Sequence, residues 1–268
     1  MITTEAPVQA KPIRTSRGAA VLTDTLVVTR RNLRRIRRTP RMMAVSSIHP
    51  VLFLLLFRYV FGGAIHTRRF SYVDYLVPGL LVAITLFGST TSVAMATDLG
   101  SGMIDRFRSL PMARSAVLAG RCLADVTRSL FVVMILLVVG TLTGFRFHNG
   151  VLAAVVAIAL VLAFSFSFSW LFALVGLIVK DPQTAQLAAF LPVFPFMFAS
   201  TVFVPLTSMP GWLQAFARFQ PVSSAVNAVR SLAEGGHHTA LFVVLSVGWM
   251  IFFLAVFGSL SITRYRKS

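Results

Sequence analysis

Side chains that could carry out acid–base or metal chemistry are few in this chain of 268 residues, and they stand far apart. Acidic residues number eight and histidines five. Their order contains no His-Glu-x-x-His helix for zinc, no Gly-x-Ser-x-Gly elbow for a nucleophile and no carboxylate pair. His237 and His238, with Glu234 nearby, could bind zinc, although a solvated loop pair is the simpler interpretation. We therefore predict no catalytic site, no metal site and no enzymatic activity.

A nucleotide-binding site is also missing from the sequence. A P-loop needs Gly-x-x-x-x-Gly-Lys-Ser/Thr, because backbone amides and a lysine must surround the phosphates. The lysines of this chain are Lys11, Lys180 and Lys267, and none of them follows a glycine. We expect no cofactor on this chain. If ATP drives its work, then ATP and magnesium are bound by another protein.

Apolar blocks long enough to cross a bilayer take up most of the chain. Hydrophobic residues make up 56% of it and charged residues 12%, against about 25% charged in an ordinary soluble domain. The mean hydropathy is +0.81. A hydrocarbon core roughly 30 Å thick needs about 20 apolar residues per helix, and these blocks lack the alternation of barrel strands. The sequence thus predicts an all-α polytopic membrane protein with six transmembrane helices, at about 43–64, 75–98, 123–145, 151–179, 186–204 and 241–262.

Basic residues are distributed unevenly between the two sides that six spans define. Eighteen Lys and Arg residues fall on the side of the termini and five on the other. Because cytoplasmic loops are enriched in Lys and Arg, both termini are predicted to be cytoplasmic, in a multi-pass protein of the cell membrane. No basic module with interleaved aromatic residues follows the arginine run, so the charge favours anionic lipid and we expect no nucleic-acid partner.

The transmembrane domain is predicted to cover 19–268, after a short tail. Residues 1–18 are typical of a disordered cytoplasmic tail. Over 19–40, apolar residues recur near helical spacing among arginines, which predicts a basic interfacial helix along the cytoplasmic headgroups. A disordered basic tail is the alternative.

A small amphipathic helix is predicted on the cytoplasmic side, between the second and third spans. Apolar residues such as Phe107 alternate there with charged ones, Gly102 precedes them and Pro111 ends the helix. Docking to a partner protein would suit such a helix. A role as an interfacial linker would suit it equally, and the residues alone leave both interpretations open.

The stretch at about 205–240 is predicted on the outer side, yet it is not simply polar. Pro210 and Pro221 divide it into two short helices, and Trp212, Phe216 and Phe219 give the first one an amphipathic face. Non-helical backbone at membrane depth is tolerated only where protein or a watery cavity satisfies it. Re-entrant helices and helices that lie on the membrane surface both fit this pattern.

Five short stretches, in a fixed order within six spans, make the chain resemble the membrane subunit of an ABC-2 type exporter, in the daunorubicin-resistance permease branch. The stretches are Arg30-Arg31-Asn32-Leu33, Pro50 to Phe61-Gly62, Asp105-Arg106-Phe107-Arg108-Ser109-Leu110-Pro111, Met209-Pro210-Gly211-Trp212-Leu213 and Gln220-Pro221-Val222-Ser223.

This resemblance implies a half-transporter that dimerises, with a homodimer expected, and that binds two copies of a separate ABC ATP-binding subunit. It also implies that the helix near 100–115 is the coupling helix in the groove of that ATPase, with contacts from Asp105, Arg106, Phe107, Arg108, Leu110, Pro111 and Met112. An ion-coupled secondary carrier or efflux protein without an ATPase is the alternative. The scarcity of ionisable residues inside the spans counts against it.

Aromatic residues in two spans are candidates for the path of a hydrophobic or amphipathic cargo, such as a drug or a lipid. Rings bind flat or greasy ligands without a fixed hydrogen-bond pattern, but ordinary helix packing or lipid contact also explains them. The fourth span offers Phe164, Ser165, Phe168 and Ser169, and the fifth offers Phe190, Phe194 and Phe198.

Overall fold

The computed structural model describes residues 29, 40–63, 71–87, 89–101, 114–236 and 238–267. Every regular element among them is helical. The predicted tail at 1–18, nearly all of the interfacial helix at 19–40 and the predicted coupling residues at 105–112 lie outside the described residues. These three features therefore stay predictions.

Ten α-helices make up the described fold. They are α1 (Pro40–Leu56), α2 (Tyr72–Leu86), α3 (Ser89–Gly100), α4 (Arg114–Leu142), α5 (Gly150–Val179), α6 (Pro182–Phe198), α7 (Gly211–Phe219), α8 (Pro221–Glu234), α9 (Thr239–Phe253) and α10 (Ser259–Lys267). A π-helical turn, Phe57–Phe61, extends α1, and a second one, Leu254–Gly258, joins α9 to α10.

Four of the six predicted spans correspond to helices that are long and apolar enough to cross a membrane. These are Tyr72–Gly100, Val117–Leu142, Gly150–Val179 and Thr239–Tyr265. The first of them contains the interruption between α2 and α3, where the Phe87 amide donates to the Ile84 carbonyl. For the described residues the all-α prediction is thus confirmed, and four apolar helices with the length and composition of membrane spans confirm the integral membrane character.

The first predicted span corresponds to α1 with its π-turn, Pro40–Phe61, which includes an apolar helix at Ser46–Phe61. The fifth predicted span is shorter in the structure than in the sequence pattern. The fifth corresponds to α6, which has 17 residues with Pro192 and Pro195 inside it and ends at Phe198. The prediction extends this span to residue 204, but residues 199–204 are not helical.

Helix α5 lies at the centre of the bundle, where α2, α3, α4, α6, α8, α9 and α10 all pack against it. Its tightest neighbour is α3, because a Cβ atom at Gly176 would overlap the backbone carbonyl of Ser92. Two short connections define the ends of the bundle. Residues 143–149 join α4 to α5 at one end, and Lys180-Asp181 join α5 to α6 at the other. We call these the α4–α5 end and the α5–α6 end.

Candidate functional site: a non-helical segment held between helices

The chain crosses the interior of the bundle without helical structure just after α6. Ser200, Thr201, Val202 and Phe203 are at most 5% exposed. Backbone that is neither helical nor in water must find hydrogen-bond partners elsewhere in the protein. We refer to residues 199–205 as the buried loop.

Helix α8 supplies most of these partners from a single polar stripe. Gln220, Ser223, Asn227 and Arg230 follow one another at intervals of three, four and three residues, so they share one face of the helix. The Gln220 amide donates to the carbonyls of Phe196 (3.0 Å) and Ala199 (2.6 Å). The stripe therefore replaces the hydrogen bonds that α6 would have made by continuing.

Two further members of the stripe bind Thr201. The Ser223 hydroxyl accepts from the Thr201 amide at 3.2 Å, and the Asn227 side-chain oxygen accepts from the Thr201 hydroxyl at 3.1 Å. Both the backbone and the side chain of Thr201 are thus fixed by α8.

Arg230 is the most unusual member of the stripe, because it is charged and only 9% exposed. Its guanidinium donates to the carbonyls of Thr201 (2.9 Å) and Tyr75 (3.0 and 3.3 Å) and to the Asn227 oxygen (3.2 Å). The guanidinium carbon also lies 3.5 Å from the centroid of the Tyr75 ring, a cation–π contact. All four hydrogen bonds end on neutral oxygens, so backbone and ring dipoles stabilise the charge.

Helix α2 forms the opposite wall of the buried loop. The hydroxyls of Tyr72 and Tyr75 donate to the carbonyls of Phe203 (3.2 Å) and Thr201 (3.0 Å). One turn further on, Gly79 lets the backbone of Val202 approach so closely that a Cβ atom there would overlap the Val202 carbonyl. The loop is therefore enclosed between α2 and α8.

The turn between α7 and α8 lies part-way along the length of α9. The indole N–H of Trp249 donates to the Phe219 carbonyl at 3.0 Å. Trp249 stands ten residues after the start of α9, which corresponds to about 15 Å of helix. The other end of α8 returns to the α4–α5 end, where the His148 amide donates to the Ala233 carbonyl at 2.9 Å. Helix α8 thus begins part-way along α9 and ends at the α4–α5 end, and it packs between α2, α5 and α9.

The outer-segment candidates divide into an exposed and a buried group. On α7, Trp212, Phe216 and Phe219 are 76%, 46% and 67% exposed. Pro210 immediately precedes α7, and Pro221 is the buried first residue of α8. The structure therefore gives α7 an open aromatic face and gives α8 a place in the core.

Seven phenylalanine rings form a continuous series along the bundle, which we call the phenylalanine ladder. Neighbouring centroids are 4.4–6.0 Å apart. The fifth-span candidates Phe190, Phe194 and Phe198 belong to it, and they are 37%, 44% and 43% exposed. In order, the ladder consists of Phe61, Phe57, Phe203, Phe198, Phe194, Phe190 and Phe87.

A small apolar cavity lies beside this ladder, between α1, α2 and α6. Phe203 of the buried loop lines it, so the hydrogen bonds that hold the loop also fix one wall of the cavity. Its other lining residues are Pro50, Phe53, Leu80, Ala83, Ile84, Phe87 and Met197.

The fourth-span candidates lie in a different environment. Phe164, Ser165, Phe168 and Ser169 are at most 5% exposed. The Phe168 ring stacks on Phe253 at 4.4 Å, and the Ser165 and Ser129 hydroxyls are 3.0 Å apart. These side chains hold α5 against α4 and α9, and would meet a cargo only if those helices separated.

Sequence reasoning missed the buried loop and its partners. Arg230 is one of the five basic residues on the predicted outer side, and the sequence alone does not distinguish Arg230, Tyr75 or Thr201 from their neighbours. The signal available was the polar stripe of α8, which begins just before Pro221 and recurs at helical spacing on a helix otherwise made largely of Ala and Val. Among the described residues, no group of three or more His, Cys, Asp or Glu side chains could hold a metal ion.

Comparison with known proteins shows the family to which the chain belongs. Residues 23–233 match the ABC-2 type transporter family. The chain is 34% identical over 261 residues to the daunorubicin resistance ABC transporter permease protein DrrB1 of Streptomyces coeruleorubidus, covering 96% of this chain and 89% of the relative.

Other relatives are more distant but cover nearly as much. A probable doxorubicin resistance ABC transporter permease protein, DrrC, of Mycobacterium tuberculosis is 29% identical over 246 residues, with 87% of each chain covered. A putative transport permease, ycf38, of Porphyra purpurea is 25% identical, with 86% of this chain and 84% of the relative covered. The resemblance that the sequence motifs suggested is thereby confirmed, and this chain belongs to the ABC-2 type transporter family as a membrane-embedded permease.

Proposed function

We propose that this chain is the permease half of an ABC-2 exporter that moves a hydrophobic or amphipathic drug or lipid out of the cytoplasm or the inner leaflet. The observation that carries the proposal is the family match over 23–233, together with relatives named for daunorubicin and doxorubicin resistance. Because the sequence has no P-loop, a separate ABC ATP-binding subunit supplies the energy.

We propose six membrane crossings, with α1 and α6 as the two that length alone does not establish. Helix α1 with its π-turn runs from Pro40 to Phe61, and α6 with the buried loop spans residues 182–205. At 1.5 Å per helical residue the 22 residues of the first make about 33 Å, enough for a hydrocarbon core of roughly 30 Å. The charge asymmetry then places the termini and the α5–α6 end in the cytoplasm of a cell-membrane protein.

In this orientation α7 and α8 form a re-entrant pair from the outer side. The support is the Trp249–Phe219 hydrogen bond about 15 Å along α9, and the burial of α8 between three neighbours. The exposed aromatic face of α7, from Trp212 to Phe219, would contact lipid or a second permease copy.

The phenylalanine ladder is the part of the described surface best suited to an amphipathic cargo. Its α6 rings are 37–44% exposed and follow one another toward the cytoplasmic side, and they demand no fixed hydrogen-bond pattern of a ligand. The fourth-span candidates are enclosed, so we place the path along α6 rather than along α5. A second copy of this chain, in a homodimer, would close the open side of the path.

Energy would enter through Asp105 to Met112, the coupling residues that the family resemblance implies. Closure of the ATPase dimer would move this segment, and the two permease halves would then rearrange as rigid bodies. Replacing Phe107 by Ala, or reversing the charge of Arg106, would uncouple ATP hydrolysis from export while leaving expression unchanged.

Efflux of doxorubicin from cells that express this chain with its ATP-binding subunit tests the proposal. Phe194→Ala should lower the efflux rate, because a ring in the middle of the ladder is lost. Phe131→Ala is the matched control, since Phe131 is 42% exposed on α4 and outside the ladder. Equal efflux rates for the two variants would show that the cargo does not pass along α6. Efflux that continues with an ATPase-inactive partner would support the ion-coupled alternative.

A further inference from the structure

Two polar cross-links join α3 to α4 near the α5–α6 end of the bundle. Arg121 of α4 donates to the Asp98 carboxylate of α3 at 3.2 Å, and their side chains are 14% and 9% exposed. The Thr90 hydroxyl of α3 donates to the Asp125 carboxylate of α4 at 3.0 Å. The two helices run in opposite directions, so these contacts hold α3 near both of its ends.

The second cross-link is built around a balanced charge. Asp125 is 8% exposed and also accepts from the Arg128 guanidinium at 2.9 Å. A buried carboxylate is costly unless it is paired. Arg128 therefore supplies the opposite charge beside Asp125, and a hydrogen bond from Thr90 to a charged carboxylate is stronger than one between neutral groups.

These contacts matter because α3 packs mainly against other helices. Its extensive contacts are with α5 and α6, whereas it meets α4 over a much smaller area. Besides these polar contacts, α3 and α4 share an apolar cluster to which Met95 of α3 and Leu118 of α4 contribute. Loss of the polar contacts would weaken this small interface.

The position of α3 and α4 in the chain gives the cross-links a mechanical consequence. The two helices flank residues 102–113, the connection that contains the proposed coupling residues. At its other end, α3 is separated from α2 by the interruption after Leu86. A force applied to the connection would reach both helices at once, and the interruption would act as the point at which α3 turns relative to α2.

We infer that Thr90, Asp98, Arg121 and Asp125 are positioning residues that make α3 and α4 one rigid lever for the exporter. The inference rests on the proposed function. Through this lever, movement of the 102–113 connection becomes movement of α4 against α1, α2 and α5, the helices on which α4 packs. Without it, α3 would absorb the movement alone and ATP hydrolysis would proceed with less export.

Spin-label distances in nanodiscs test the lever without any transport. Labels would replace Thr97 and Thr141 in a Cys122→Ser background, because both threonines are exposed on α3 and α4 and bond their own helices. The parent chain should give one narrow distance distribution. The double variant Asp98→Asn with Asp125→Asn should broaden this distribution. The charge exchange Asp98→Arg with Arg121→Asp, made in the parent chain, should keep the distribution narrow because the ion pair can still form. Asp181→Asn, at an exposed loop carboxylate, is the control. A broad distribution in the parent, or no broadening in the double variant, would overturn the lever.

Doxorubicin export per ATP hydrolysed, in proteoliposomes that hold the chain with its ATPase, tests the positioning role. Thr90→Val should lower this ratio about fivefold or more, a coupling loss of ordinary allosteric size. Thr141→Val, which removes a hydroxyl bonded only within α4, should leave it unchanged. If the parent complex showed no ATP-driven export, the proposed function would be wrong. The spin-label distances would still show whether α3 and α4 move as one rigid unit. A normal ratio for Thr90→Val in a working complex would overturn the positioning role.

Discussion

Largely buried arginines have different kinds of hydrogen-bond partner at the two ends of this bundle. Near the α4–α5 end, Arg230 is stabilised by carbonyls, an amide oxygen and the Tyr75 ring. Near the α5–α6 end, the cations Arg121 and Arg128 each bond a carboxylate. The first arrangement depends on the backbone conformation of the buried loop, whereas the second depends only on side chains that face each other.

This difference indicates what each region can do. Backbone carbonyls point at Arg230 only while the buried loop keeps its shape, so that region is a fixed structural element. Two ionised side chains can separate and pair again as helices move, with little change in the backbone. The α4–α5 end is therefore suited to rigidity, and the α5–α6 end, beside the proposed coupling segment, to transmission of movement.

The largest effect is expected from Arg230→Met, which keeps the length of the side chain and removes its donors. Three oxygen acceptors would lose four hydrogen bonds inside the protein, and we expect a loss of about 3 kcal/mol in unfolding free energy. Thermal denaturation in nanodiscs measures it. Arg218→Met is the matched control, because Arg218 is exposed on α7. Equal stability of the two variants would show that Arg230 does not fix the loop.

Gly79→Ala tests the same region from the side of α2. The added Cβ would overlap the Val202 carbonyl, and forced shifts of this kind in a packed interior cost about 1–3 kcal/mol. The Thr201 and Val202 amides should then exchange hydrogen faster, while those of α3 should not. Gly248→Ala, where a Cβ meets nothing within 4 Å, should be neutral. A neutral Gly79→Ala would mean that the loop tolerates displacement.

Trp249→Phe should have a smaller effect, because it removes one hydrogen bond and keeps an aromatic ring. Hydrogen bonds between helices in membrane proteins contribute about 0.6 kcal/mol on average. Trp212→Phe on the exposed face of α7 is the control. The depth of the α7–α8 turn can be measured with a fluorescent label at the turn and lipid-attached quenchers. Trp249→Phe should change the quenching, whereas Trp212→Phe should not. If Trp249→Phe left the quenching unaltered, the bond would not fix the depth of the turn.

The smallest effect concerns Asp181, a solvent-exposed carboxylate in the connection between α5 and α6. The side chain and the amide of Thr184 hydrogen-bond it, and its pKa is lowered. A lowered folded-state pKa means that the stabilisation is present above the usual aspartate pKa and is lost as pH falls through the folded value. Hydrogen exchange of the first turn of α6 should rise in acid beyond its intrinsic rate. Asp181→Asn should remove this pH dependence, because asparagine caps a helix but does not titrate. If the pH dependence remained in this variant, another group would be its source.

Sequence pattern predicted the long helices well, because apolar length alone decides whether a segment can span a membrane. The fourth predicted span, 151–179, and α5 differ by one residue. The prediction was wrong where an apolar segment is not helical in the structure. Ala199 to Val204 are apolar enough to extend the fifth span, yet the chain there is not helical, because α8 supplies hydrogen bonds that only tertiary structure brings near.

The candidate site was predictable only in part, for the same reason. The α6 phenylalanines could be named from their spacing. Phe203, which joins them to Phe57 of α1, could not, because the contact depends on how the buried loop is held. Likewise, a single arginine between two predicted spans is typical of a solvated loop, and only the structure shows that Tyr75 and Thr201 bind Arg230.

Affinity purification of the tagged chain from its native membranes, followed by mass spectrometry, tests the central claim most directly. The account predicts that a P-loop ATPase co-purifies in about equal amount to this chain. Recovery of an intact oligomer without any ATPase would contradict it.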